Sequence, residues 1–259
     1  MAEGSLESRL ALLACAIATL CTTSLAFADT TLAPVSVTAK GYESDTLTTP
    51  SSVFVGEGDA LRRNGANNLG EALRGEVGFA VASDGAQGQN PVIRGLKKES
   101  LVLLVDGMRF NSAQPAGAIA SFMSLGLADR VEAIKGPASV LYGTGAVGGA
   151  INVLMPQARF EPGVGFSAGA SYDSASKGVR GTGLVNLSHG NHALMVGASL
   201  ANIDDYKAPD GRVERTGYDS NAFIGQYRFR IDGQNQFRLS LQQQKDEDVW
   251  YPGSTKSFR

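Results

Sequence analysis

One run of glycines has the spacing of a phosphate-binding loop. Gly143-Thr144-Gly145-Ala146-Val147-Gly148 matches the G-x-G-x-x-G pattern, in which the last glycine opens a helix whose first N–H groups bind a pyrophosphate. The residues that follow, Gly149-Ala150-Ile151-Asn152-Val153-Leu154, have the pattern of a strand instead. We therefore predict that these glycines permit turns and close backbone packing, and that the chain binds no nucleotide.

Pairs of histidine and aspartate are the other residues with chemical potential. His189 and His192 have the spacing of two metal ligands, but neither a cysteine nor a local carboxylate completes a tetrahedral set. Asp204-Asp205 lies in a polar stretch, where paired carboxylates are usually solvated, and no serine motif accompanies the histidines. The sequence favours a protein that is not an enzyme, with no catalytic residue, no metal site and no cofactor.

Composition excludes two further classes of protein. Charged residues make up 19% of the chain, the formal net charge is -2, and the basic residues are scattered. Because nucleic-acid binding needs a cationic surface that neutralises phosphates, we predict no nucleic-acid partner. After residue 28 no apolar run approaches the roughly 18 residues of a membrane-spanning helix, which excludes a helical membrane protein.

The amino terminus has the features of an export signal. Arg9 precedes the apolar stretch Leu10–Leu20, and Ala26-Phe27-Ala28 has small residues where a signal peptidase cleaves. We predict a signal peptide over residues 1–28; a buried amino-terminal helix is the alternative. Both cysteines, Cys15 and Cys21, lie inside this segment, so the predicted mature chain has no thiol for a disulfide or a metal site.

Residues 29–50 lack helical periodicity and are rich in threonine, serine and alanine, which predicts a flexible segment. Within it lies a short β-branched run that consists of Pro34, Val35, Ser36, Val37, Thr38 and Ala39. Such a run can add its backbone as a strand to the sheet edge of another protein. A plain linker is the alternative interpretation.

Residues 51–157 have the pattern of a compact α+β domain. Strands bounded by glycine or proline are predicted at Ser52–Val55, Pro91–Arg94, Leu101–Val105, Arg130–Ile134 and Ala150–Leu154. This mixture of short strands with a helix favours one folded domain of modest size.

A short helix and two polar loops are predicted within the same domain. Asn67 is predicted to cap the helix and Gly75 to end it, and three apolar residues share one helix face: Leu69, Ala72 and Leu73. The stretches Ala82–Asn90 and Asn111–Gly117 are rich in glycine, glutamine, asparagine and alanine. We predict that they are loops able to present polar groups to a ligand.

After Pro162 the pattern changes to long amphipathic strands. Each is close to the roughly 9 to 11 residues that cross a bilayer at a tilt, and they are predicted at Gly163–Asp173, Val179–Ser188, His192–Ile203, Ser220–Ile231 and Gln236–Lys245. In the fourth strand, one face carries Phe223, Tyr227, Phe229 and Ile231, and the other carries Gln226, Arg228 and Arg230. This alternation is typical of a membrane barrel with a polar lumen, although a soluble β-sandwich also alternates.

The lengths of the connections distinguish these two folds. Short turns at Gly190-Asn191 and Asp232-Gly233-Gln234-Asn235 alternate with a five-residue connection before Val179 and a long one from Asp204 to Asp219. Outer-membrane barrels have this asymmetry between their two ends. Five strands cannot close a barrel, and an open edge in lipid leaves backbone groups unpaired. We therefore expect either further strands or a chain that is a fragment.

Four motifs, in this order, resemble those of the TonB-dependent outer-membrane receptors. They are Pro91-Val92-Ile93-Arg94-Gly95, Leu103-Leu104-Val105-Asp106-Gly107-Met108-Arg109, Arg130-Val131-Glu132-Ala133-Ile134-Lys135-Gly136-Pro137, and Leu141-Tyr142-Gly143 with Gly148-Gly149-Ala150-Ile151-Asn152. The resemblance implies an α+β plug domain over residues 51–157. It also implies an antiparallel transmembrane β-barrel of about 22 strands, of which residues 158–259 would form the first five.

The resemblance also implies partners and a function. The run from Pro34 to Ala39 looks like the TonB box, which pairs as a strand with the periplasmic domain of TonB. Members of the family lie in the outer membrane of Gram-negative cells, in contact with its lipid. They import a small metal chelate, such as a ferric siderophore, haem or cobalamin, by energy-coupled remodelling of the plug. A passive outer-membrane pore and a non-functional receptor fragment are the alternatives.

The matched motifs imply roles for individual residues. Arg94, Arg130 and Glu132 look like the charged plug residues of the family, which would pair with charges of the barrel wall. Asp106-Gly107 resembles the turn between two plug strands. The other matched positions are structural, namely Gly95, Gly136, Tyr142, Gly143 and Asn152. The candidates for ligand contact are Gln87, Gln89, Asn90, Phe110, Asn111 and Gln114.

Overall fold

The structure, a computed structural model, describes residues 52–66, 68–83, 88–110 and 125–249, and the backbone of residues 35–36 and 44–45. Several predictions therefore lie outside the described residues: the signal peptide over 1–28, most of the segment over 29–50, the cap Asn67, and the loop Asn111–Gly117. The described residues form a mixed α/β domain up to Leu154 and an antiparallel sheet after Gly163.

Ten strands are described before residue 155. In chain order they are β1 (Val35–Ser36), β2 (Ser44–Asp45), β3 (Ser52–Glu57), β4 (Phe79–Ser83), β5 (Gln89–Ile93), β6 (Leu96–Lys97), β7 (Leu101–Val105), β8 (Met108–Arg109), β9 (Arg130–Lys135) and β10 (Gly149–Leu154). The central sheet has the spatial order β3-β9-β10-β7-β8, in which only β10 and β7 pair in parallel. The predicted strands of this sheet are confirmed, with ends that differ by at most two residues.

Short helices surround this sheet. Those described are α1 (Gly58–Arg63), α2 (Leu69–Ala72) and α3 (Ser139–Tyr142), with a 3₁₀ turn at Lys98–Ser100. The predicted apolar face of α2 is confirmed, since Leu69, Ala72 and Leu73 are buried. Nowhere in the described ranges is a helix both long and apolar enough to cross a membrane.

The predicted cap of α2 was one residue too early. The side-chain oxygen of Asn68 accepts a hydrogen bond from the N–H of Glu71 at 3.0 Å, and the helix begins at Leu69. Two consecutive asparagines offer the same capping chemistry, so the local sequence does not distinguish them. The register is decided by burial, because Leu69 is fully buried in this position.

Both faces of the central sheet are buried. Along β7, Leu101 contributes to one apolar cluster while Val102 and Leu104 contribute to the other. In β9, Ala133 and Ile134 divide between the clusters in the same way. This period of two explains why the strands appear as continuous apolar runs in the sequence.

A smaller antiparallel sheet of β4, β5 and β6 corrects two predictions. The strand predicted at Pro91–Arg94 runs from Gln89 to Ile93, and both ends of the predicted loop Ala82–Asn90 belong to strands. The cause is the turn that follows. Arg94 and Gly95 have φ angles of 49° and 83°, as in two-residue hairpin turns of type I′, so the strand ends at Ile93.

The second sheet contains five long antiparallel strands in chain order. They are β11 (Gly163–Asp173), β12 (Gly178–His189), β13 (His192–Ile203), β16 (Tyr218–Arg230) and β17 (Gln236–Glu247), and the small hairpin of β14 (Lys207–Ala208) and β15 (Gly211–Arg212) lies between β13 and β16. The ends of the five predicted strands differ from these bounds by at most two residues. Connections 190–191 and 231–235 are short and lie at the end opposite to the long connection 204–217, which confirms the predicted asymmetry.

This sheet has an apolar outer face and a more polar inner face. On the outer face Leu194 lies between Leu187 and Tyr227, and Tyr227 lies opposite Leu239. On the inner face Met195, Ile224 and Gln226 are buried. The predicted alternation of β16 is confirmed by this arrangement, which is the pattern of bilayer-spanning strands.

Replacing Asn68 with alanine is predicted to lower the free energy of unfolding by about 1 kcal/mol, because the N–H of Glu71 loses its acceptor. Urea unfolding of the refolded chain, followed by circular dichroism, measures this change. Asn67→Ala is the matched control and is expected to change the free energy by less than about 0.5 kcal/mol. An equal loss from both substitutions would contradict the assignment of the cap.

Candidate functional site

The predicted TonB box has strand backbone at two of its residues. Val35 and Ser36 form β1 and pair with β2, with Val35 opposite Asp45 and Ser36 opposite Ser44. The other residues of the run, Pro34, Val37, Thr38 and Ala39, lie outside the described residues. An extended backbone of this kind is the geometry that strand addition to a second protein requires.

Two of the three predicted plug charges form an ion pair with each other. Nε of Arg130 lies 3.1 Å from Oε1 of Glu132, which is fully buried. The sequence predicted partners on the barrel wall, but this pair forms inside β9, because residues two apart in a strand project from the same face. Arg94 lies instead in an exposed turn, where its backbone N–H donates to the carbonyl oxygen of Gly78 at 3.2 Å.

Tyr142 lies near the buried carboxylate of Glu132. The ring is half-buried at the end of α3 and packs against the cluster that contains Val102 and Ile134. Burial, and to a lesser extent the negative charge of Glu132, raises the pKa of the Tyr142 phenol above its ordinary value of 10.0. The phenol is therefore neutral at physiological pH.

The G-x-G-x-x-G run is a turn followed by a strand. Gly143 and Gly145 have φ angles of 77° and 96°, which favour glycine. A Cβ atom on Gly148 would lie 2.8 Å from Cβ of Leu96 and 3.1 Å from the carbonyl oxygen of Ser100. Because β10 begins at Gly149, the run lacks the helix that a dinucleotide site requires, and the predicted turn and packing roles are confirmed.

The predicted turn at Asp106-Gly107 is confirmed and has an additional role. Both residues have positive φ angles, 49° and 78°, and they join β7 to β8. Oδ1 of Asp106 accepts the N–H of Met155 at 2.8 Å, and Oδ2 accepts Nε2 of Gln242 in β17 at 3.0 Å. The N–H of Gly107 donates to Oδ1 of the buried Asn152 at 3.0 Å. The turn is thus held by two other side chains, Gln242 of β17 and Asn152 of β10.

We refer to residues 52–154 as the plug body, to residues 155–162 as the connector, and to the sheet of β11, β12, β13, β16 and β17 as the wall. The connector is bound to the inner face of the wall. The N–H of Ala158 donates to Oε1 of Gln226 at 2.8 Å, and Nη1 of Arg228 donates to the carbonyl oxygen of Ala158 at 2.7 Å. Asn186 binds Arg159 twice, accepting its N–H at 2.8 Å and donating to its carbonyl oxygen at 3.0 Å.

Phe160 completes the attachment of the connector. The guanidinium carbon of Arg230 lies 4.2 Å from the centre of the Phe160 ring, and that of Arg228 lies 5.0 Å from it. Both distances are within the range of cation–π attraction. The connector therefore has backbone, side-chain and aromatic contacts with the wall within three successive residues.

Sequence analysis assigned no contact to the amide residues Asn186, Gln226 and Gln242, although it placed Gln226 on the polar face of its strand. They alternate with outward apolar residues in predicted strands, so the sequence indicated that they face inward. A buried amide on an inner face needs a partner, which is the signal that marks Asn186 and Gln226. Their partners were not predictable, because connector and wall residues are far apart in the chain.

The candidate ligand contacts fall in different environments. Gln89 and Asn90 are buried in β5, where Oε1 of Gln89 accepts Nη2 of Arg74 at 2.8 Å and its Nε2 donates to Oγ of Ser83 at 2.9 Å. Phe110 is half-buried after β8. The other three candidates lie outside the described residues: Gln87, Asn111 and Gln114.

His189 and His192 face each other across the two-residue turn between β12 and β13. Nδ1 of His192 lies 2.7 Å from the hydroxyl oxygen of Tyr227, and its ring stacks on Phe229 at 4.8 Å. In the described ranges no three histidine, cysteine or acidic residues are grouped as a metal site would need. His192 thus belongs to an aromatic group at one end of the wall.

Asp205 has a structural role in the long connection. Its Oδ1 accepts the N–H groups of Gly217 and Thr216 at 2.9 Å and 2.7 Å. These hydrogen bonds lower the pKa of the Asp205 carboxyl, the one from Gly217 most and the one from Thr216 next. The nearby Arg212 adds to the effect. The carboxylate therefore closes the connection around β14 and β15.

Comparison with known proteins identifies the family. The model of the TonB-dependent Receptor Plug Domain matches residues 45–150. The chain carries a TonB-dependent receptor plug. The antiparallel wall that follows it matches in fold the barrel strands of solved receptor structures.

Similar proteins include receptors with different ligands in their names. The chain is 31% identical over 196 residues to the vitamin B12 transporter BtuB of Vibrio vulnificus (strain CMCP6), covering 74% of this chain and 32% of that protein. It is 37% identical over 116 residues to the hemin receptor of Yersinia pestis, covering 44% of this chain and 17% of that protein. The chain thus spans about a third or less of these relatives.

Solved structures support the same fold. The pyoverdine outer membrane receptor FpvA of Pseudomonas aeruginosa PAO1, in complex with pyoverdine, superposes with a TM-score of 0.69 at 18% identity. The match covers 82% of this chain and 30% of the receptor chain. At this identity the likeness concerns the arrangement of plug and wall strands only.

The raised pKa of Tyr142 predicts a stability loss at high pH. The folded plug keeps the phenol proton at pH values where the unfolded chain has lost it, so the free energy of unfolding falls as pH rises above 10.0. Subtracting the titration of Tyr142→Phe from that of the unsubstituted chain gives the phenolate absorbance of Tyr142. Its midpoint is expected to lie above pH 10.0. Glu132→Gln is expected to remove only part of the shift, since burial is the larger cause. A difference titration at or below 10 would contradict this assignment.

Proposed function

We propose that this chain is the plug and first barrel segment of an outer-membrane importer of a metal chelate of the ferric siderophore, haem or cobalamin type. The observation that carries the proposal is the plug body, attached through the connector to the inner face of a wall whose outer face is apolar. The proposed activity is transport and not catalysis. The names of the relatives, a vitamin B12 transporter and a hemin receptor, support this range of ligands.

The proposed organisation has four parts: a signal peptide over residues 1–28, a flexible segment with the TonB box over 29–50, the plug over 51–157, and the first part of the barrel over 158–259. The connector supports the last boundary, because its hydrogen bonds to the wall begin at Ala158. An apolar outer face on β11 to β17 supports contact with outer-membrane lipid.

The proposed coupling partner is the periplasmic domain of TonB, which would pair with the run from Pro34 to Ala39. The extended backbone at Val35 and Ser36 supports this role. Strand pairing suits the transfer of force, since several backbone hydrogen bonds load together along the strand. The proposed box lies shortly before the central sheet in the chain, because β3 begins at Ser52.

For ligand contact we propose the segment that begins at Phe110 and includes Asn111 and Gln114, together with Gln87. Phe110 directly follows β8 at the end of the central sheet, and its N–H donates to the carbonyl oxygen of Leu103 at 2.9 Å. For Gln89 and Asn90 we propose a supporting role, because both are buried and Gln89 binds Arg74 and Ser83.

Val35→Pro tests the coupling proposal. Proline has no N–H to donate to a strand ladder, so pairing with TonB is expected to fail while the ligand site is untouched. In a full-length receptor that contains this chain, binding of haemin or cobalamin should keep its Kd, and cellular accumulation should fall at least about tenfold. A tenfold effect is about the size expected from the loss of one hydrogen bond between the box and TonB.

Thr48→Pro is the matched control, because it places a proline in the same segment outside the proposed box. It is expected to leave accumulation unchanged. Undiminished accumulation by Val35→Pro would favour a passive pore, and failure of the unsubstituted receptor to bind either ligand would exclude both as its substrates.

A further inference from the structure

The side chain of Arg62 binds the backbone just after the proposed ligand segment. Residues 125–128 follow that segment in the chain, and we refer to them as the return segment. Nη1 of Arg62 donates to the carbonyl oxygen of Ala128 at 2.6 Å, and to those of Leu125 and Gly126 at 3.3 Å and 3.4 Å. One guanidinium thus binds three carbonyl groups of the return segment.

Helix α1 holds this guanidinium and also contacts the return segment directly. Nη2 of Arg62 forms an ion pair with Asp59, which lies one turn earlier in the helix. At the start of the helix, the N–H of Gly58 donates to the carbonyl oxygen of Asp129 at 2.7 Å. A Cβ atom on Gly58 would overlap the carbonyl oxygen of Ala128. The helix and the return segment are therefore in backbone contact, and Arg62 extends that contact.

The return segment has no ready substitute for this donor. Leu125 and Ala128 are each 1% exposed, so water does not reach their carbonyl oxygens. The oxygen of Leu125 also accepts the N–H of Ala128 at 3.1 Å, but within the described ranges Arg62 alone donates to the oxygen of Ala128. A buried acceptor without a donor is unfavourable. Without the guanidinium, the return segment has to shift or take up another donor.

The two ends of the proposed ligand segment are held by different means. At its start, the N–H of Phe110 bonds to the carbonyl oxygen of Leu103 in β7. At its end, the return segment belongs to no strand, and it is held by Arg62 and by two apolar side chains, Leu125 in a plug cluster and Leu127 in a cluster with wall residues. Apolar packing is not directional, so the orientation of the backbone at this end depends on Arg62.

We propose that Arg62 is a positioning residue for ligand binding, which sets the end of the ligand segment through the return segment. It acts through the backbone and does not touch the ligand. When that end is not fixed, part of the binding free energy is spent on restoring its orientation, so the ligand binds more weakly. This inference rests on the proposed import function and makes ligand affinity depend on α1.

Arg62→Ala tests this role in a full-length receptor that contains this chain. The probe is cobalamin or haemin, whichever the unsubstituted receptor binds. The Kd of the purified receptor is expected to rise at least about tenfold, as for the loss of one hydrogen bond from a charged donor. In cells, the half-saturating ligand concentration should rise by the same factor, with maximal accumulation unchanged. A lower maximal accumulation with unchanged Kd would overturn the positioning role.

The matched control is Arg63→Ala, which removes the neighbouring arginine from an exposed position of the same helix. Its Kd is expected to equal that of the unsubstituted receptor, and an equal rise in both variants would contradict the proposal. If Arg62→Ala does not fold, Arg62→Met fills more of the vacated space while removing every donor. Its Kd should rise in the same way, and an unchanged Kd would overturn the role.

Chemical rescue tests whether the lost donor is the cause. Guanidinium chloride at millimolar concentration, far below the molar range that unfolds proteins, is expected to lower the Kd of Arg62→Ala towards that of the unsubstituted receptor. The free ion can enter the vacated site and donate to the same carbonyl oxygens. Tetramethylammonium chloride has no N–H group and should have no effect. An equal response to the two salts would contradict a role of the donor.

A measurement without ligand separates failure of this inference from failure of the proposed function. In Arg62→Ala, hydrogen exchange of the Ala128 N–H is expected to accelerate about tenfold, because its acceptor, Leu125, loses its fixed position. The N–H of Arg94, which donates to Gly78 in a separate turn, should exchange at an unchanged rate. Unchanged exchange at Ala128 would overturn the inference even if the receptor binds and imports its ligand.

Discussion

Side-chain amides on the inner face of the wall hold the connector, and the position of the plug depends on this contact. Gln226 and Asn186 satisfy the backbone of Ala158 and Arg159, and Ala158 is fully buried. A buried N–H group without a partner is strongly unfavourable, so the chain has to leave the plug and enter β11 in this register. The same wall contacts the plug body where Gln242 donates to Asp106.

A sheet buried on both faces imposes its own condition on charge. Glu132 is fully buried in β9, and a buried carboxylate is stable in ionised form only with a nearby positive charge and hydrogen bonds. Arg130 supplies that charge from the same face of the same strand. The plug therefore carries its counter-charge within one element, and the neutral phenol of Tyr142 lies beside it without adding a second negative charge.

Two hairpin turns with positive φ angles define where plug strands end. Arg94-Gly95 ends β5, and Asp106-Gly107 ends β7. The first has an arginine that faces solvent, while the second has a carboxylate that binds both the start of the connector and the wall. In the Arg94-Gly95 turn this backbone geometry serves only the fold. In the Asp106-Gly107 turn it also links the plug body, the connector and the wall.

The sequence by itself determined the elements and their faces. Alternation predicted β11 and β13 to the residue, and Asp106-Gly107 predicted its turn, because both depend on neighbours along the chain. Only the tertiary structure decided the partners. It chose Asn68 as the cap and buried Gln89, and it brought Gln242 to Asp106 across 136 residues of sequence. A local pattern states which face a side chain occupies, whereas packing of distant segments determines what it meets there.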